Sequence, residues 1–463
     1  MSDDFDLLII GAGPAGYVGA IRAAQLGAKV CLVERAEVGG VCLNKGCIPT
    51  KTLTNFVDLL EKAKTLSKLG IRVDGVPAPD LAAAMRRKRE IVSSQVKGIR
   101  TMLAGRGVTL VNGEASFADQ RTIEVKHGDS LARISGKKVL IATGSESSEL
   151  PNLKFDGTTI ISSSDALELE EIPRRVLVIG AGAIGCEFAL ILGALGSSVT
   201  MVEVMERVLP LEDHDVSAIV EREFKKRKVT LITSDSVESC LKSESGVKCT
   251  LESGREIDVD KVLVSVGRHL NTRGLGLEKA GVKCGEKGEI VVNEAMATEA
   301  PGVYAAGDVV GKKMYAHSAS RESIVAVSNA LGMRKVMDYS AVPSCVFTRP
   351  QVASVGITEK GAIDKGLQVK VGIFNLRALG MAHVLDEISG MVKIVADART
   401  DVVLGVHIVG AHACELIHEG VVAVANKLTA TSLGETIHAH PTLSEAVMEA
   451  AEAVHGLSIH SSR

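Results

Sequence analysis

The sequence predicts an α/β protein with two Rossmann-like dinucleotide-binding domains, followed by a C-terminal α+β dimerisation domain. Two glycine-rich segments support this prediction, because each follows a short apolar run and opens a helical pattern. In each copy a glutamate ends the next apolar run, 23 positions after the first glycine. The two segments are Gly11-Ala-Gly13-Pro-Ala-Gly16, followed by Glu34, and Gly180-Ala-Gly182-Ala-Ile-Gly185, followed by Glu203.

Each element of this repeat has a physical role in binding a dinucleotide. The glycines make a tight turn and let the backbone approach a pyrophosphate, which the helix N-terminus receives. The terminal acid accepts a hydrogen bond from a ribose hydroxyl. One such fingerprint is weak evidence, because glycines also occur in ordinary turns. Two copies at one spacing predict two dinucleotide sites.

The segment that follows the first fingerprint places two cysteines five positions apart. A glycine pair before Cys42 allows close backbone approach to a neighbour, and the pattern from Cys42 to Lys51 predicts the start of a helix. A helix N-terminus lowers the pKa of a thiol, and the thiolate is the form that attacks disulfides. Cys42 and Cys47 can therefore interconvert between dithiol and disulfide beside a redox nucleotide, which predicts electron-transfer chemistry.

The identity of the two nucleotides can be inferred from Glu203 and from the position of the two cysteines. Glu203 can bind a free 2′-hydroxyl but repels a 2′-phosphate, which favours NAD over NADP in the second fold. The first fold leads into the cysteines, so its cofactor must exchange electrons with sulfur as well as with nicotinamide. A flavin does both, and FAD is therefore predicted there.

Length and charge exclude other classes. A chain of 463 residues predicts about three or four domains. A formal charge of -3 gives no electrostatic footprint for nucleic acid. Apolar runs are too short for a membrane span, and a strand that begins by Asp6 leaves no room for a targeting peptide. The cysteines other than Cys42 and Cys47 are scattered singly, which is typical of buried reduced thiols in a cytoplasmic protein.

Over essentially its whole length the sequence resembles the FAD-dependent pyridine nucleotide–disulfide oxidoreductases. The resemblance implies domains at 1–147 (FAD and redox disulfide), 148–275 (NAD), 276–340 (central, returning to FAD) and 341–463 (dimerisation). The motifs that carry it are Cys42-Leu-Asn-Lys-Gly-Cys47-Ile-Pro-Thr-Lys51, Ala142-Thr-Gly144, Thr298-Glu-Ala-Pro-Gly-Val-Tyr-Ala-Ala-Gly307-Asp308 and Ile437-His438-Ala-His440-Pro-Thr-Leu-Ser-Glu445.

The resemblance also implies a set of cofactor-binding residues. Within that set, Lys51 and Glu187 are expected to pair beside the flavin. The alternative is that they are two unrelated surface charges on helix starts. The segment after His317 matches only in part, because Ser318, Ser320, Arg321 and Ser323 depart from the expected residues. The cofactor-binding residues are Gly11, Gly13, Gly16, Glu34, Gly40, Val41, Lys51, Ala115, Thr143, Gly144, Gly307, Asp308, Ala316, Gly180, Gly182, Gly185, Glu187, Glu203 and Gly267.

The C-terminal motif supplies the acid–base chemistry. A dithiol must lose a proton before it attacks a disulfide, so a base with a pKa near neutrality is needed beside it. We assign His440 as that base and Glu445 as the group that orients it, and His438 as structural. His407, His412 and His418 flank Cys414, but their spacing matches no metal motif, so no metal is predicted. The resemblance implies that the base reaches the cysteines of a second subunit in a homodimer, with Cys42 the exchanging and Cys47 the flavin-facing sulfur.

The C-terminal motif favours the lipoamide branch of the family. Such an enzyme oxidises dihydrolipoyl groups on the lipoyl domains of 2-oxo acid dehydrogenase or glycine-cleavage complexes. A glutathione-reductase-like enzyme is the first alternative, but it uses NADPH and would prefer arginines where Glu203 stands. A non-catalytic flavoprotein is the second, and such a protein should have lost Cys42, Cys47 or His440.

Overall fold

The computed structural model describes residues 5–72, 74–75, 77–243 and 246–461. No helix in these ranges is long and apolar enough to cross a membrane. The helices are α1 (Pro14–Gln25), α2 (Gly40–Lys45), α3 (Cys47–Thr65), α4 (Leu81–Ala104), α5 (Ser163–Ala166), α6 (Ala183–Ala194), α7 (His214–Lys226), α8 (Ala316–Ala330), α9 (Glu359–Asp364), α10 (Gly380–Val384), α11 (Ala413–Ala425), α12 (Ala430–Gly434) and α13 (Glu445–Ala453).

The strands are β1 (Phe5–Ile10), β2 (Val30–Glu34), β3 (Thr109–Asn112), β4 (Glu114–Phe117), β5 (Thr122–His127), β6 (Ser130–Ile141), β7 (Ser145–Ser147), β8 (Ile160–Ile161), β9 (Arg175–Ile179), β10 (Ser198–Glu203), β11 (Thr230–Thr233), β12 (Val237–Ser243), β13 (Gly246–Leu251), β14 (Glu256–Val259), β15 (Lys261–Val264), β16 (Arg268–Leu270), β17 (Val303–Ala305), β18 (Ser344–Val346), β19 (Gln351–Gly356), β20 (Val369–Asn375), β21 (Met391–Asp397) and β22 (Val403–Gly410). Strands β3 to β8 and β11 to β17 form two long runs with no α-helix inside either run among the described residues, and the other strands lie singly or in pairs between helices.

Two compact units account for the described part of the chain. One holds the described residues of Met1–Thr52, Ala82–Ser148 and Gly267–Tyr339, and the other those of Leu53–Leu81, Glu149–Val266 and Ser340–Arg463. The α/β fold class predicted from the sequence is confirmed. The four domain boundaries predicted from the sequence stay a prediction.

The first unit is built on a parallel sheet whose strands are almost wholly apolar. Strands β3, β2, β1, β6 and β17 lie side by side in this order, all parallel. Every residue of β2 is buried, as expected when helices cover both faces of a parallel sheet. The first half of strand β6 pairs with β5 and completes an antiparallel meander of β4, β5 and β6.

The second unit repeats this arrangement. Strands β11, β10, β9, β15 and β8 are parallel and lie in the corresponding order. An antiparallel meander of β12, β13 and β14 again precedes the fourth parallel strand. The internal duplication seen in the two fingerprints therefore extends to the strand order and to the meander, neither of which the glycine pattern predicted.

The C-terminal part of the second unit is an antiparallel sheet covered by helices. Its strand order is β18, β19, β22, β21, β20, and neighbouring strands are antiparallel. Helices α11 and α13 contribute Ile417, Ala446 and Val447 to the apolar core beneath the sheet. The C-terminal α+β part of the predicted fold is present, with α11 and α13 packed on its sheet.

Gly185 and Gly193 lie in the same helix, α6, and provide a matched test of the second fingerprint. A Cβ atom at Gly185 would lie 2.0 Å from the Gly180 carbonyl oxygen, whereas at Gly193 the nearest atom, Val199 Cγ2, lies 3.8 Å away. We expect Gly185→Ala to lower the melting temperature, because the added Cβ atom would clash with the Gly180 carbonyl oxygen and distort the turn. It should also weaken NAD binding by about tenfold or more, which corresponds to a loss of about 1.4 kcal/mol of binding free energy. Gly193→Ala should stabilise the helix slightly. Thermal melts and NAD titration measure both; equal behaviour of the two variants would show that the close approach is not required.

Candidate active site

The first glycine turn is closed by the glutamate that ends β2. The Ala12 N–H donates to Glu34 Oε2 at 2.6 Å, and the Ala36 N–H donates to Oε1 at 2.8 Å. Gly11 adopts φ +95°, and a Cβ atom there would lie 2.4 Å from the Ala142 carbonyl oxygen. Only glycine fits this turn, and the buried carboxylate holds it against the end of β6.

The second turn has the same construction. The Ala181 N–H donates to Glu203 Oε2 at 2.7 Å, and the Met205 N–H donates to Oε1 at 2.9 Å. Gly180 also adopts φ +95°, with a Cβ position 2.6 Å from the Ser265 carbonyl oxygen. The two folds therefore share hydrogen bonds as well as spacing.

Both fingerprints can accept a pyrophosphate. Helices α1 and α6 begin after Gly13 and Gly182, and in the described structure neither N-cap has a side-chain hydrogen bond and neither first turn holds an acid. A Cβ atom at Gly182 would meet nothing within 4 Å, so space remains in front of that helix. Free N–H groups and the positive end of the helix dipole fit an anionic group. The residues present thus fit the dinucleotides predicted from the sequence.

The redox segment is packed against the first fingerprint through bare backbone. The Gly39 N–H donates to the Ala12 carbonyl at 2.7 Å. Gly40 has φ +58°, and a Cβ atom there would lie 2.7 Å from Gly13 Cα. The close approach expected from the glycine pair therefore brings the start of α2 to the first glycine turn.

The cysteines form a disulfide, but not on one continuous helix. The expectation of a single helix from Cys42 to Lys51 is wrong, because Gly46 has φ −149° and ψ −108° and separates α2 from α3. Cys42 lies within α2 and Cys47 is the first residue of α3, with Cα atoms 4.7 Å apart. The break places Cys47 at the N-terminus of a long helix whose first turn has no acid, which stabilises a thiolate there.

Asp308 lies at the end of β17, beside the first fold. Gly307 before it has φ +85°, and a Cβ atom there would lie 3.2 Å from Ala15 Cβ in α1. The Gly307 N–H donates to Glu322 Oε2 at 2.7 Å, and the Tyr339 hydroxyl donates to Oε1 at 2.8 Å. Burial raises the pKa of Glu322 to about 7, although both hydrogen bonds oppose the shift. Glu322 thus fixes the backbone that carries Asp308.

Sequence reasoning missed a second group that holds Asp308. Arg268 donates from Nε to Ser145 Oγ and from Nη2 to the Ser145 carbonyl, both at 2.7 Å, and Ser145 Oγ donates to the Asp308 carboxylate. Thr143 and Asn271 exchange side-chain to backbone hydrogen bonds at 2.8 and 3.0 Å. The sequence does contain a signal for these two residues, because Ser145 and Arg268 occupy equivalent positions. Each follows a glycine just after an apolar strand.

Two further predicted positions lie near the first fold. The Gly113 N–H donates to the Glu34 carbonyl at 2.9 Å. This bond places Ala115, which is buried in β4, close to Glu34. Ala316 begins α8. Of the departures after His317, Ser323 lies 3.1 Å from the Cβ position of Gly19, so this small side chain lets α8 approach α1 closely.

Each of the remaining cofactor positions lies on a defined element or at its edge. Lys51 is in the first turns of α3 and Val41 is the second residue of α2. Glu187 is buried in α6 and its Oε1 accepts the Phe347 N–H at 2.9 Å, so it is not the surface charge that the alternative reading required. Gly267, with φ +122°, precedes β16. The pairing of Lys51 with Glu187 stays a prediction.

The candidate base and its orienting acid are joined directly. His440 Nδ1 lies 2.8 Å from Glu445 Oε1, and the Thr442 N–H donates to Oε2 at 2.8 Å. Burial would raise the pKa of Glu445, but the hydrogen bonds from Thr442 and His440 outweigh it and lower this pKa. Glu445 is therefore ionised at neutral pH. The His440 side chain remains 78% exposed, with Nε2 available to a substrate.

The other histidines have structural partners. His438 is bound at Nδ1 by the Thr436 carbonyl and at Nε2 by Glu419, both at 2.7 Å. His407 is buried, with Nε2 3.0 Å from the Ile357 carbonyl, and burial lowers its pKa. Among the residues that the structure describes, no group of three or more histidines, cysteines or acids could hold a metal ion.

The prediction for the remaining cysteines is wrong in part. Cys240 and Cys249 form a second disulfide, because the register of β12 and β13 makes them direct cross-strand partners. Cys284 is exposed rather than buried. Cys345 is half-buried, whereas Cys31, Cys186 and Cys414 are buried as expected.

Fold and site together define a disulfide oxidoreductase built on two dinucleotide-binding folds. Residues 5–323 match the model of the pyridine nucleotide-disulphide oxidoreductases, and residues 342–451 match the dimerisation domain of the same group. The chain belongs to the pyridine nucleotide-disulphide oxidoreductase family. FAD and NAD are the cofactors of this class of enzyme, so the cofactor prediction is confirmed.

Comparison with individual proteins shows which members of the family the chain resembles. A dihydrolipoyl dehydrogenase of Thermus scotoductus is 44% identical, with 98% of each chain covered. The crystal structure of LpdA from Mycobacterium tuberculosis has a TM-score of 0.91 at 30% identity and covers 96% of this chain and 99% of that chain. A Cu(II) complex of the flavoprotein disulfide reductase RclA from Escherichia coli has a TM-score of 0.88 at 28% identity, covering 97% of this chain and 99% of that chain.

The pair of His440 and Glu445 predicts a graded loss of turnover. His440→Gln should slow thiol oxidation by about two or more orders of magnitude, the usual scale for a lost general base. Glu445→Gln should slow it less, because the imidazole remains but loses its ionised partner. Steady-state rates with a dithiol substrate measure both. His127→Gln, at an exposed position in β5, is the control; a His440→Gln variant as active as this control would exclude His440 as the base.

Proposed function

We propose that the chain is a dihydrolipoyl dehydrogenase, which oxidises protein-bound dihydrolipoyl groups and reduces NAD. The observation that supports this most is the Cys42–Cys47 disulfide, whose segment is packed on the glycine turn of the first dinucleotide fold. The 44% identical dihydrolipoyl dehydrogenase, covered over 98% of both chains, supports the choice of substrate.

Proton transfer is the first task of the protein. A dihydrolipoyl thiol is a poor nucleophile until it is deprotonated. His440 accepts this proton at Nε2, because Glu445 engages Nδ1 and fixes the tautomer in which Nε2 is basic. The ionised Glu445 then stabilises the imidazolium that forms.

Thiol–disulfide exchange follows at Cys42. The substrate thiolate attacks the Cys42 sulfur, a mixed disulfide forms, and the bond to Cys47 breaks with Cys47 leaving as a thiolate. The second substrate thiol then attacks the sulfur of the first, which releases lipoyl disulfide and the Cys42 thiolate. Two electrons have moved from substrate to the cysteine pair. The N-terminus of α3 favours Cys47 as the leaving group.

The cofactors complete the electron path. When bound, FAD would supply the two-electron chemistry that connects the cysteine dithiol with hydride transfer to NAD. Asp308, held by Ser145 and Arg268, and Glu34 would hold FAD, while Glu203 would bind the NAD ribose. Glu203 carries a negative charge where a 2′-phosphate would lie, which supports NAD over NADP.

Assembly and location belong to the same proposal. The match of residues 342–451 to a dimerisation domain supports a homodimer in which His440 serves the cysteines of the other subunit. The partners would be lipoyl domains of a 2-oxo acid dehydrogenase or glycine-cleavage complex, and the location the cytoplasm.

Substrate choice is tested by initial rates. We expect kcat/KM for dihydrolipoamide with NAD to exceed that for glutathione disulfide with NADPH by about 10²-fold or more, a ratio that differential binding can supply. The measurement is absorbance of the reduced nicotinamide under identical conditions. A preference for glutathione disulfide and NADPH would replace the proposed function with that of a glutathione-type reductase.

The two cysteines are separated by spectroscopy. Cys42→Ser should leave the Cys47 thiolate against oxidised FAD and produce a long-wavelength charge-transfer band, whereas Cys47→Ser should lack it. Both variants should lose lipoamide turnover, since each breaks the disulfide. Cys284→Ser, at an exposed free cysteine, is the control and should retain turnover. A band in Cys47→Ser only would reverse the two roles.

A further inference from the structure

A second pair of cysteines lies in the antiparallel meander of the second dinucleotide fold. Cys240 in β12 is the direct cross-strand partner of Cys249 in β13, and the two form a disulfide. Their Cα atoms are 4.1 Å apart, close to the separation of antiparallel partners whose backbones do not exchange hydrogen bonds. Side chains of such a pair point to the same face and are the closest in a sheet. The pairing is therefore a consequence of strand register.

The two sulfurs differ in access. Strand β13 lies between β12 and β14, and Cys249 is opposed on its other side by Ile257. Cys249 is 0% exposed. Cys240 lies on β12, at the edge of the meander, and is half-buried. Cys240 is therefore the more exposed residue of the pair, and Cys249 is closed to solvent.

The pair is anchored in the core of the NAD-binding fold. Cys249 belongs to the apolar cluster that includes Leu177 and Ile179 of β9 and Val202 of β10, and Cys240 packs against this cluster. The sulfur atoms are thus held in place by the same packing that supports the second glycine turn.

Cys31, Cys186 and Cys284 differ from this pair. Cys31 and Cys186 are buried, and burial raises the pKa of Cys31 to about 12. Cys284 is exposed but free. These thiols lack the combination of a neighbouring sulfur and an accessible one.

We propose that Cys240 and Cys249 form a second thiol–disulfide couple, distinct from Cys42–Cys47, which exchanges with low-molecular-weight thiols and disulfides through Cys240. In the oxidising direction the Cys240 thiolate attacks a small disulfide, forms a mixed disulfide and releases one thiol. The Cys249 thiolate then attacks the Cys240 sulfur and releases the second thiol. The protein dithiol loses two electrons and two protons, and the small disulfide becomes two thiols.

The test uses the full-length, FAD-loaded protein in buffers of oxidised and reduced glutathione. After equilibration, acid quenching and alkylation, trypsin cuts after Lys242 and Lys248, so the two cysteines fall in separate peptides that only a disulfide joins. We expect the joined pair to rise from nearly absent to nearly complete as the oxidised fraction increases. The same curve is expected when Cys42 and Cys47 are both serine, so the result is independent of the proposed function.

Single variants test the order of attack. Cys249→Ser should trap a glutathione adduct on Cys240, whereas Cys240→Ser should leave Cys249 unmodified in the folded protein. Should Cys249→Ser not fold, Cys249→Ala and the order of alkylation in the reduced wild type give the same information, Cys240 being expected to react first. A pair that stays reduced, or stays oxidised, at every glutathione ratio would overturn the proposal, as would an adduct formed equally on Cys249.

Discussion

The contact between two glycines, Gly13 and Gly40, is the constraint on which the active site depends. With backbone against backbone, a single Cβ atom on Gly40 would come within 2.7 Å of Gly13 Cα. The Gly39 N–H bond to the Ala12 carbonyl holds the segments at that distance. The start of α2 and the first glycine turn are therefore parts of one structure, and a side chain at Gly40 would push the segment that carries the cysteines away from this turn.

The duplicated folds have diverged where they leave the fingerprint. In the first copy β6 is one continuous strand that ends the meander and also forms the fourth parallel strand. In the second copy these roles are divided between β14 and β15, with Asp260 between them binding Arg175. The redox cysteines follow the first copy and the cross-strand cysteines lie in the meander of the second. The two similar folds therefore have cysteine pairs at different positions.

The parts of the fold that the sequence predicted well are those determined locally. The strand, glycine turn, helix and terminal acid follow from residues within one continuous stretch, and β10 ends at Glu203 as expected. The break at Gly46 was missed, because a glycine permits both helical and non-helical dihedrals. Cys240 and Cys249 could be paired only by knowing the hairpin register. The bond from Gly307 to Glu322 joins a strand end to a later helix, and no local pattern encodes such a partner. The roles of the individual site residues stay predictions.

The carboxylate of Glu203 has a consequence for how nucleotide preference can change. Its two oxygens accept backbone N–H groups from Ala181 and Met205, so the residue that should select NAD also holds its own turn closed. An arginine at this position could attract a 2′-phosphate but could accept neither hydrogen bond. Natural or laboratory evolution toward NADP would therefore need compensating changes in the turn, and single substitutions should yield unstable intermediates between the two specificities.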